Sequence, residues 1–199
     1  MSDAPLTFET LAGAALHPLL PDLARLRIVV FRDWPYLYEG DEAYERGYLR
    51  AYADAPGAAV VVCRARGEVV GAATCEPMVQ GHAPVQAAFR AAGLDPAGFC
   101  YFGESVLLRP YRGRGAGVRF FEAREAHARS LGLRRTAFCA VLRDPADPRR
   151  PAGHVPLDGF WRRRGYAPRP DLTVGFSWKE VGATEETPHL LSFWLKDLA

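Results

Sequence analysis

Lysine is almost absent from this sequence: Lys179 and Lys196 are the only two, and every other strong base among the 25 is an arginine. A P-loop of the form G-x-x-x-x-G-K-[ST] needs a lysine beside its glycines, so that route to nucleotide binding is closed. Cysteine is scarce as well. Cys63, Cys75, Cys100 and Cys139 sit inside apolar runs without C-x-x-C spacing, which argues against a zinc site or a disulfide scaffold and marks them as small, reduced core residues. No apolar run approaches the ~20 residues of a membrane helix. The opening MSDAPLTFETLAG lacks the basic flank and apolar block of a secretory signal. The chain is therefore expected in the cytoplasm, with no membrane as partner. A formal net charge of +2 is too small to recruit nucleic acid. There is no internal repeat and no low-complexity tract.

The 199 residues, 49% hydrophobic and 24% charged, suit one domain able to bury a sizeable core. Leu6 to Glu9 alternates apolar and polar residues, as a short strand does. From Pro18 to Phe31, Leu19, Leu23, Leu26 and Val30 fall at helical spacing, and Pro35 ends that helix nearby. Between Phe31 and Tyr52, Trp34, Tyr36, Tyr38, Tyr44, Tyr48 and Tyr52 interleave with Asp33, Glu39, Asp41, Glu42 and Glu45. Tyr44, Tyr48 and Tyr52 form one stripe on a second helix. That stripe either packs on a sheet or, with the carboxylates, walls a pocket for a cationic amine. AAVVVCRA at 58–65 and EVVGAATCE at 68–76 read as strands joined by a hairpin turn at Arg66-Gly67. Val85 to Ala92 reads as a short helix, a connector or a lid.

The stretch that organises the rest is FCYFGESVLLRPYRGRGAGVRFFEAREAHARSL, residues 99–131. It predicts a strand from Phe99 to Leu108, a break at Pro110, a glycine turn, and a helix closed by Gly132. Gly113, Gly115 and Gly117 alternate with Arg112, Arg114 and Ala116. Unpaired amides at a helix start, with the positive end of its dipole, make an anion site suited to phosphate. The dinucleotide pattern G-x-G-x-x-G fails, because Val118 and Phe120 occupy the third glycine position in the two available frames. On the helix, Ala116, Phe120, Ala123, His127 and Leu131 share one face, with His127 as a satisfied core histidine. Arg119, Glu122, Glu125 and Arg129 share the other. A strand at Leu133 to Leu142 follows, then the irregular RDPADPRRPAGHVPLDGF, a short helix at Asp158 to Arg164, and closing strands at Leu172 to Lys179 and His189 to Trp194.

The pattern that does fit is R-x-x-G-x-G, with Arg112, Gly115 and Gly117 after an apolar strand. On these residues the chain resembles the GNAT superfamily of acyl-CoA-dependent N-acyltransferases. The resemblance implies an α/β (α+β) fold: a mixed, mostly antiparallel sheet of six to seven strands with helices on both faces. It implies a single domain over 1–199, with acceptor-side helices at about 18–54, an acyl-CoA core at about 58–142, and a substrate loop and closing strands at about 143–199. It implies that Arg112, Gly113, Arg114, Gly115, Ala116 and Gly117 receive the diphosphate of coenzyme A. Val106, Leu107 and Leu108 then lie along the pantetheine arm, one of their amides polarising the thioester carbonyl. The strands ending at Leu108 and Leu142 are expected to run parallel and then splay around that arm. Trp34, Tyr36, Tyr38 and His154 are the candidate acceptor contacts. Arg134, Arg135 and Arg162 to Arg164 are solvated surface or partners of the adenosine 3′-phosphate.

Glu104 is the candidate base. It is a carboxylate in an otherwise apolar strand, a setting that raises a pKa, although an exposed glutamate or a salt-bridge partner fits the same position. Aligned on Gly165-Tyr166, Trp161 stands at the family's tyrosine and His154 at its asparagine. An indole N–H has no comparable acidity. Trp161 therefore packs against the cofactor, and His154, Tyr166 or solvent is left to protonate the thiolate. Cys139 as a nucleophile would need a matched base. The expected activity is acetyl transfer from acetyl-CoA, without a metal, to a primary amine of a small cationic molecule. A protein N-terminus or lysine as acceptor, and a non-catalytic acyl-CoA-binding module, are the alternatives. A homodimer is the assembly considered.

Overall fold

Two apolar hairpin strands set the architecture. β2 (Ala59–Ala65) and β3 (Glu68–Pro77) are buried along nearly their whole length, so both faces of the sheet they start must be covered. The computed structural model describes residues 4–199, and the first three residues of the opening segment discussed above lie outside it. Along β2, Val60 and Val62 pack under α1 (Leu20–Phe31) and α2 (Glu42–Asp54), while Val61 and Cys63 join Phe120 of α4 (Ala116–Ser130) on the opposite face. α3 (Ala83–Ala91) shares the first face and α5 (Asp158–Arg163) the second.

The remaining strands are β1 (Leu6–Leu11), β4 (Phe99–Tyr101), β5 (Ser105–Leu107), β6 (Arg135–Val141), β7 (Ala167–Lys179) and β8 (Glu186–Asp197). Their order is β1-β2-β3-β4-β6-β8-β7, with β5 pairing β3 off this path. Among the described residues only the β4–β6 pairing is parallel. The sheet has eight strands rather than six or seven, because the single strand expected from Phe99 to Leu108 is two. β4 ends at Tyr101, residues 102–104 leave the ladder, and β5 resumes against β3.

Three residues impose that break. The Glu104 amide donates to the Thr74 hydroxyl at 3.0 Å. Gly103 lies so close to β3 and α2 that a Cβ there would sit 2.5 Å from Thr74 Oγ1 and 3.1 Å from the Tyr52 hydroxyl. From the other face, the Arg124 guanidinium donates to the Thr74 and Glu104 carbonyls, both at 3.3 Å, and lies 4.3 Å from the centre of the Phe102 ring.

Several boundaries shift for physical reasons. The first helix is preceded by a 3-10 turn at Gly13–Leu19. The closing strands run well beyond the predicted segments. Pro168 and Pro170 are tolerated because β7 is an edge strand, and Pro188 lies past the Leu191↔Val141 end of the β6–β8 ladder. On α4, Glu125, expected outside, is buried and takes hydrogen bonds from Lys196 Nζ at 2.7 Å and Tyr166 at 3.2 Å. Leu131, expected inside, caps the helix and is exposed. His127 is satisfied as expected, by the Gly57 carbonyl at 2.8 Å.

Candidate active site

β4 and β6 pair in parallel from Phe99↔Arg135 to Tyr101↔Ala137, and the Phe102 amide adds one more bond to the Ala137 carbonyl. Beyond that point they part. β5 continues against β3 alone while β6 continues against β8, which leaves a wedge between the two halves of the sheet. Backbone groups alternate sides along a strand, so the pairing decides which amides face the wedge. The Leu108 amide donates to Val70 O at 3.0 Å, and Val106, two residues earlier, points the same way. Neither of these two can polarise a thioester in the wedge. Leu107 faces it: its carbonyl accepts from Arg112 Nε at 3.0 Å, and its amide lies on the same side.

The wedge leads to the glycine turn. Gly113 (φ 76°) and Gly115 (φ 81°) adopt left-handed conformations that L side chains resist, and the space where their Cβ atoms would stand is open. Gly115 caps α4, whose first internal bonds are donated by Val118 and Arg119 to the Gly115 carbonyl. The amides of Gly115, Ala116 and Gly117 at the helix start thus have no acceptor within the helix. Asp33 fixes the basic side of this corner, bonding Arg109 at 2.9 Å and lying 3.8 Å from Arg112. Arg114 reaches the Ala4 carbonyl at 2.6 Å. Helix-start amides without an acceptor in the helix, an open left-handed turn and a wedge with one exposed amide column together fit a diphosphate joined to an extended arm.

On the α1–α3 face an acidic, aromatic cluster of side chains, called the chamber below, lies beside the wedge. Glu104 is 8% exposed and paired with Arg27 of α1, Nη1 to Oε1 at 2.8 Å. Arg27 also binds Glu45 of α2, which is fully buried, and lies 4.2 Å from the centre of the Tyr48 ring. Tyr48 donates to Glu104 Oε2 at 3.3 Å. The setting of Glu104 is thus ionic rather than purely apolar, closer to the salt-bridge alternative. Desolvation opposes the charge on Arg27, but Glu104, Tyr48 and Glu45 outweigh it and keep the guanidinium charged. Burial pushes the phenols of Tyr36, Tyr48, Tyr52 and Tyr101 well above the ordinary tyrosine range, so all four are neutral donors. Burial likewise pushes the Cys139 thiol, 3.1 Å from the Tyr101 hydroxyl, up to about 11. A thiolate is then costly near neutrality.

The predicted acceptor residues divide. Tyr36 lines the chamber, its ring against Phe31 and Trp178 and its carbonyl held by Trp178 Nε1 and Arg143. Tyr38 lies beside Glu45, and burial with that neighbour raises its pKa. Trp34 and His154 meet at the rim, ring centres 6.1 Å apart, where Arg143 fastens the long loop to the Pro35 and Tyr36 carbonyls. Trp161 sits on the other face of the sheet, half-buried and packed edge-to-face on Phe138 and Trp194, ring centres 5.1 Å apart in each case. Tyr166 is tied to Thr136 and Glu125 with its phenol raised by burial, which makes it a poor proton donor. Arg135 turns inward over Phe99, 4.2 Å from the ring centre. Among the described residues no group of three or more His, Cys, Asp or Glu could hold a metal ion, and no helix is long and apolar enough to cross a membrane.

Four participants were not singled out from the sequence: Arg27, Glu76, His82 and Tyr101. His82 stacks on Tyr48 with ring centres 5.7 Å apart, and burial lowers its pKa. The available signals were a charge next to Leu26 on an apolar helix face and a glutamate ending an otherwise buried strand.

The family described as "Acetyltransferase (GNAT) family" matches residues 24–149, more than half of the chain. This chain belongs to the GNAT acetyltransferase family, whose members use acetyl-CoA. No curated protein matches it significantly. Among solved structures it is similar to ribosomal-protein-alanine N-acetyltransferase from Brucella melitensis, with 16% identity, TM-score 0.63, and 96% of this chain and 99% of that one covered. It is similar to an N-acetyltransferase from Staphylococcus aureus Mu50, with 12% identity, TM-score 0.61, and 98% and 100% covered. It is also similar to a Salmonella typhimurium protein assigned as an acetyltransferase and solved with its cofactor acetyl-CoA, with 13% identity, TM-score 0.61, and 98% and 95% covered. At these identities the likeness concerns the fold.

Proposed function

We propose that this chain moves an acetyl group from acetyl-CoA to a primary amine of a small cationic molecule by direct transfer. The observation that carries the reading is the wedge between β5 and β6, which runs from the amide turn past a chamber of carboxylates and phenols. The amides of 113–117, with Arg112 and Arg114, would hold the diphosphate, and Val106, Leu107 and Leu108 would flank the arm. Acetyl-CoA supplies an acyl thioester open to attack by a neutral amine. The Leu107 amide is placed to polarise its carbonyl. Glu104, with Glu45, gives the chamber more negative charge than Arg27 offsets, so it attracts and orients an ammonium beside the wedge. Trp34, Tyr36, Tyr38 and His154 supply aromatic walls for the rest of the acceptor. The raised thiol of Cys139 favours direct attack over an acyl-cysteine.

The test is acceptor-dependent thiol release from acetyl-CoA with a panel of diamines, neutral amines and an alanine-led peptide. Turnover with diamines supports the reading. A preference for the peptide would shift the acceptor to a protein N-terminus. Thermal stabilisation by coenzyme A without thiol release for any acceptor would make the chain a binding module.

A further inference from the structure

Beside Glu104 and Glu45, the same cluster holds a third carboxylate, one with no assigned role. Glu76 stands at the end of β3, opposite Tyr101 of β4 in the register, and is 3% exposed. Its Oε1 presses so close to the chain at Gly81 that a Cβ there would lie 2.7 Å away. The other buried carboxylates each have a cation: Arg27 serves Glu45 and Glu104, and Lys196 serves Glu125. None acts on Glu76 among the described residues. A buried acid without a counter-ion is costly in its charged form, so Glu76 favours holding a proton.

We propose that Glu76 takes the proton from the acceptor ammonium, while Glu104 serves as the fixed anion that binds it. This rests on the acetyl-transfer reading above. Glu104 is already occupied by Arg27 and Tyr48, which suits an anchor more than a proton acceptor. Glu76 lies on the same face, linked to it through the α2 stripe. The Tyr52 hydroxyl, buried and without a hydrogen bond of ordinary geometry among the described residues, stands between the break at Gly103 and Glu76. The groups that act on Glu76 or line its side of the sheet are Tyr48 and Tyr52 from α2, Tyr101 and Cys100 from β4, Glu104 from the break, and His82 at the start of α3. Arg124 lies on the opposite face, tied to backbone carbonyls. Burial pushes the Glu76 carboxyl up to about 7, with Tyr52 opposing and Glu104 adding, which poises it for neutral-pH proton transfer.

The proton balance is simple. One ammonium N–H bond breaks, its electron pair stays on nitrogen, and the proton goes to a Glu76 oxygen. The freed amine forms the C–N bond as the C–S bond breaks, and its surplus proton ends on the departing sulfur. Glu76 returns its own proton to solvent before the next turnover.

The experiment compares wild type, Glu76→Gln, Glu76→Asp and Glu104→Gln with the best diamine of the panel, from pH 5.5 to 9. It pairs this with a titration of the glutamate carboxyl carbons by carbon-13 NMR on the free protein. In wild type kcat/KM is expected to fall below about pH 7 as one group titrates, and one glutamate signal should titrate in the same range. Glu76→Gln should lose on the order of 100-fold in kcat, flatten that limb and lack the signal. Glu76→Asp should regain part of the rate and the limb, and Glu104→Gln should keep the limb while raising KM. A Glu76→Gln enzyme with the limb and rate intact, or a free protein with no glutamate titrating near neutrality, overturns the assignment while leaving acetyl transfer standing. A wild-type protein that acylates no amine overturns both.

Discussion

Arg27 is the single cation between two buried carboxylates, Glu45 and Glu104. Removing one partner of such a group strands the others in a low-dielectric interior. Arg27→Met is therefore expected to cost about 3–5 kcal/mol, lowering Tm by roughly 6–20 °C for a chain of this size, measured by thermal denaturation. Glu104→Gln leaves Glu45 with its partner, so its main effect falls on binding: KM for a diamine should rise about tenfold, a change of about 1.4 kcal/mol. KM for a neutral amine and the affinity for coenzyme A should stay within twofold. Glu76 predicts the opposite of Arg27. Its carboxyl is held at about 7 in the fold against an ordinary value of 4.5, so between those pH values the native chain binds more protons than the unfolded one. Stability from this group is then complete below pH 4.5 and lost as pH rises through 7. Glu76→Gln should be more stable than wild type at pH 8 by about 3 kcal/mol, and the advantage should vanish toward pH 4.5. Parallel melting curves at the two pH values check this.

The break between β4 and β5 is the element on which the wedge depends, and no local sequence feature announces it. Residues 99–108 read as one apolar strand, interrupted at Gly103, Glu104 and Ser105. The groups that bend it come from far along the chain: Thr74 lies 30 residues from Glu104, and Arg124 lies 20 residues beyond it. The strand-turn-helix at 99–131, by contrast, was legible because its glycines, arginines and helical periodicity are local. Glu104 was legible as a carboxylate on that strand, but Arg27 was hidden beside Leu26, and only the α1–α2 packing brings it to Glu104. Trp161 was placed by its spacing to Gly165-Tyr166, and the packing of its ring edge-to-face on Phe138 and Trp194 is set by strands far along the chain. Arg124→Met keeps bulk and helix propensity but leaves the Thr74 carbonyl without its donor and the Glu104 carbonyl with the Thr74 amide alone. It should cost about 2 kcal/mol or more and reduce kcat more than the affinity for coenzyme A, because the bend positions Glu104 and the Leu107 amide rather than the phosphate turn. A variant with lowered Tm and unchanged kcat would show that Arg124 only packs.

The sheet is two leaves, β1–β3 with β5 and β4 with β6–β8, that meet along β3–β4 at two residue pairs, Glu76↔Tyr101 and Pro77↔Cys100. Elsewhere the wedge keeps them apart, and on one face Phe121 and Ala128 of α4 bridge the seam, packing with Ala59 and Cys75 of the first leaf and Cys100, Phe138 and Trp194 of the second. A ligand lying in the wedge and gripping the α4 turn would contact both leaves at once. It would bind the native arrangement and not the unfolded chain, and so raise stability by mass action. At a coenzyme A concentration one hundred times Kd the gain is about 2.7 kcal/mol, or roughly 5–11 °C in Tm. Gly115→Ala separates this from nonspecific stabilisation. Its Cβ would stand in open space, so the cost is the left-handed backbone at φ 81°, about 1–2 kcal/mol, and a distorted amide nest. That variant should melt a few degrees lower on its own and lose most of the coenzyme A shift, while a chelator should leave both proteins unchanged. A full shift retained in Gly115→Ala would place the ligand away from the α4 turn and leave the wedge without its proposed occupant.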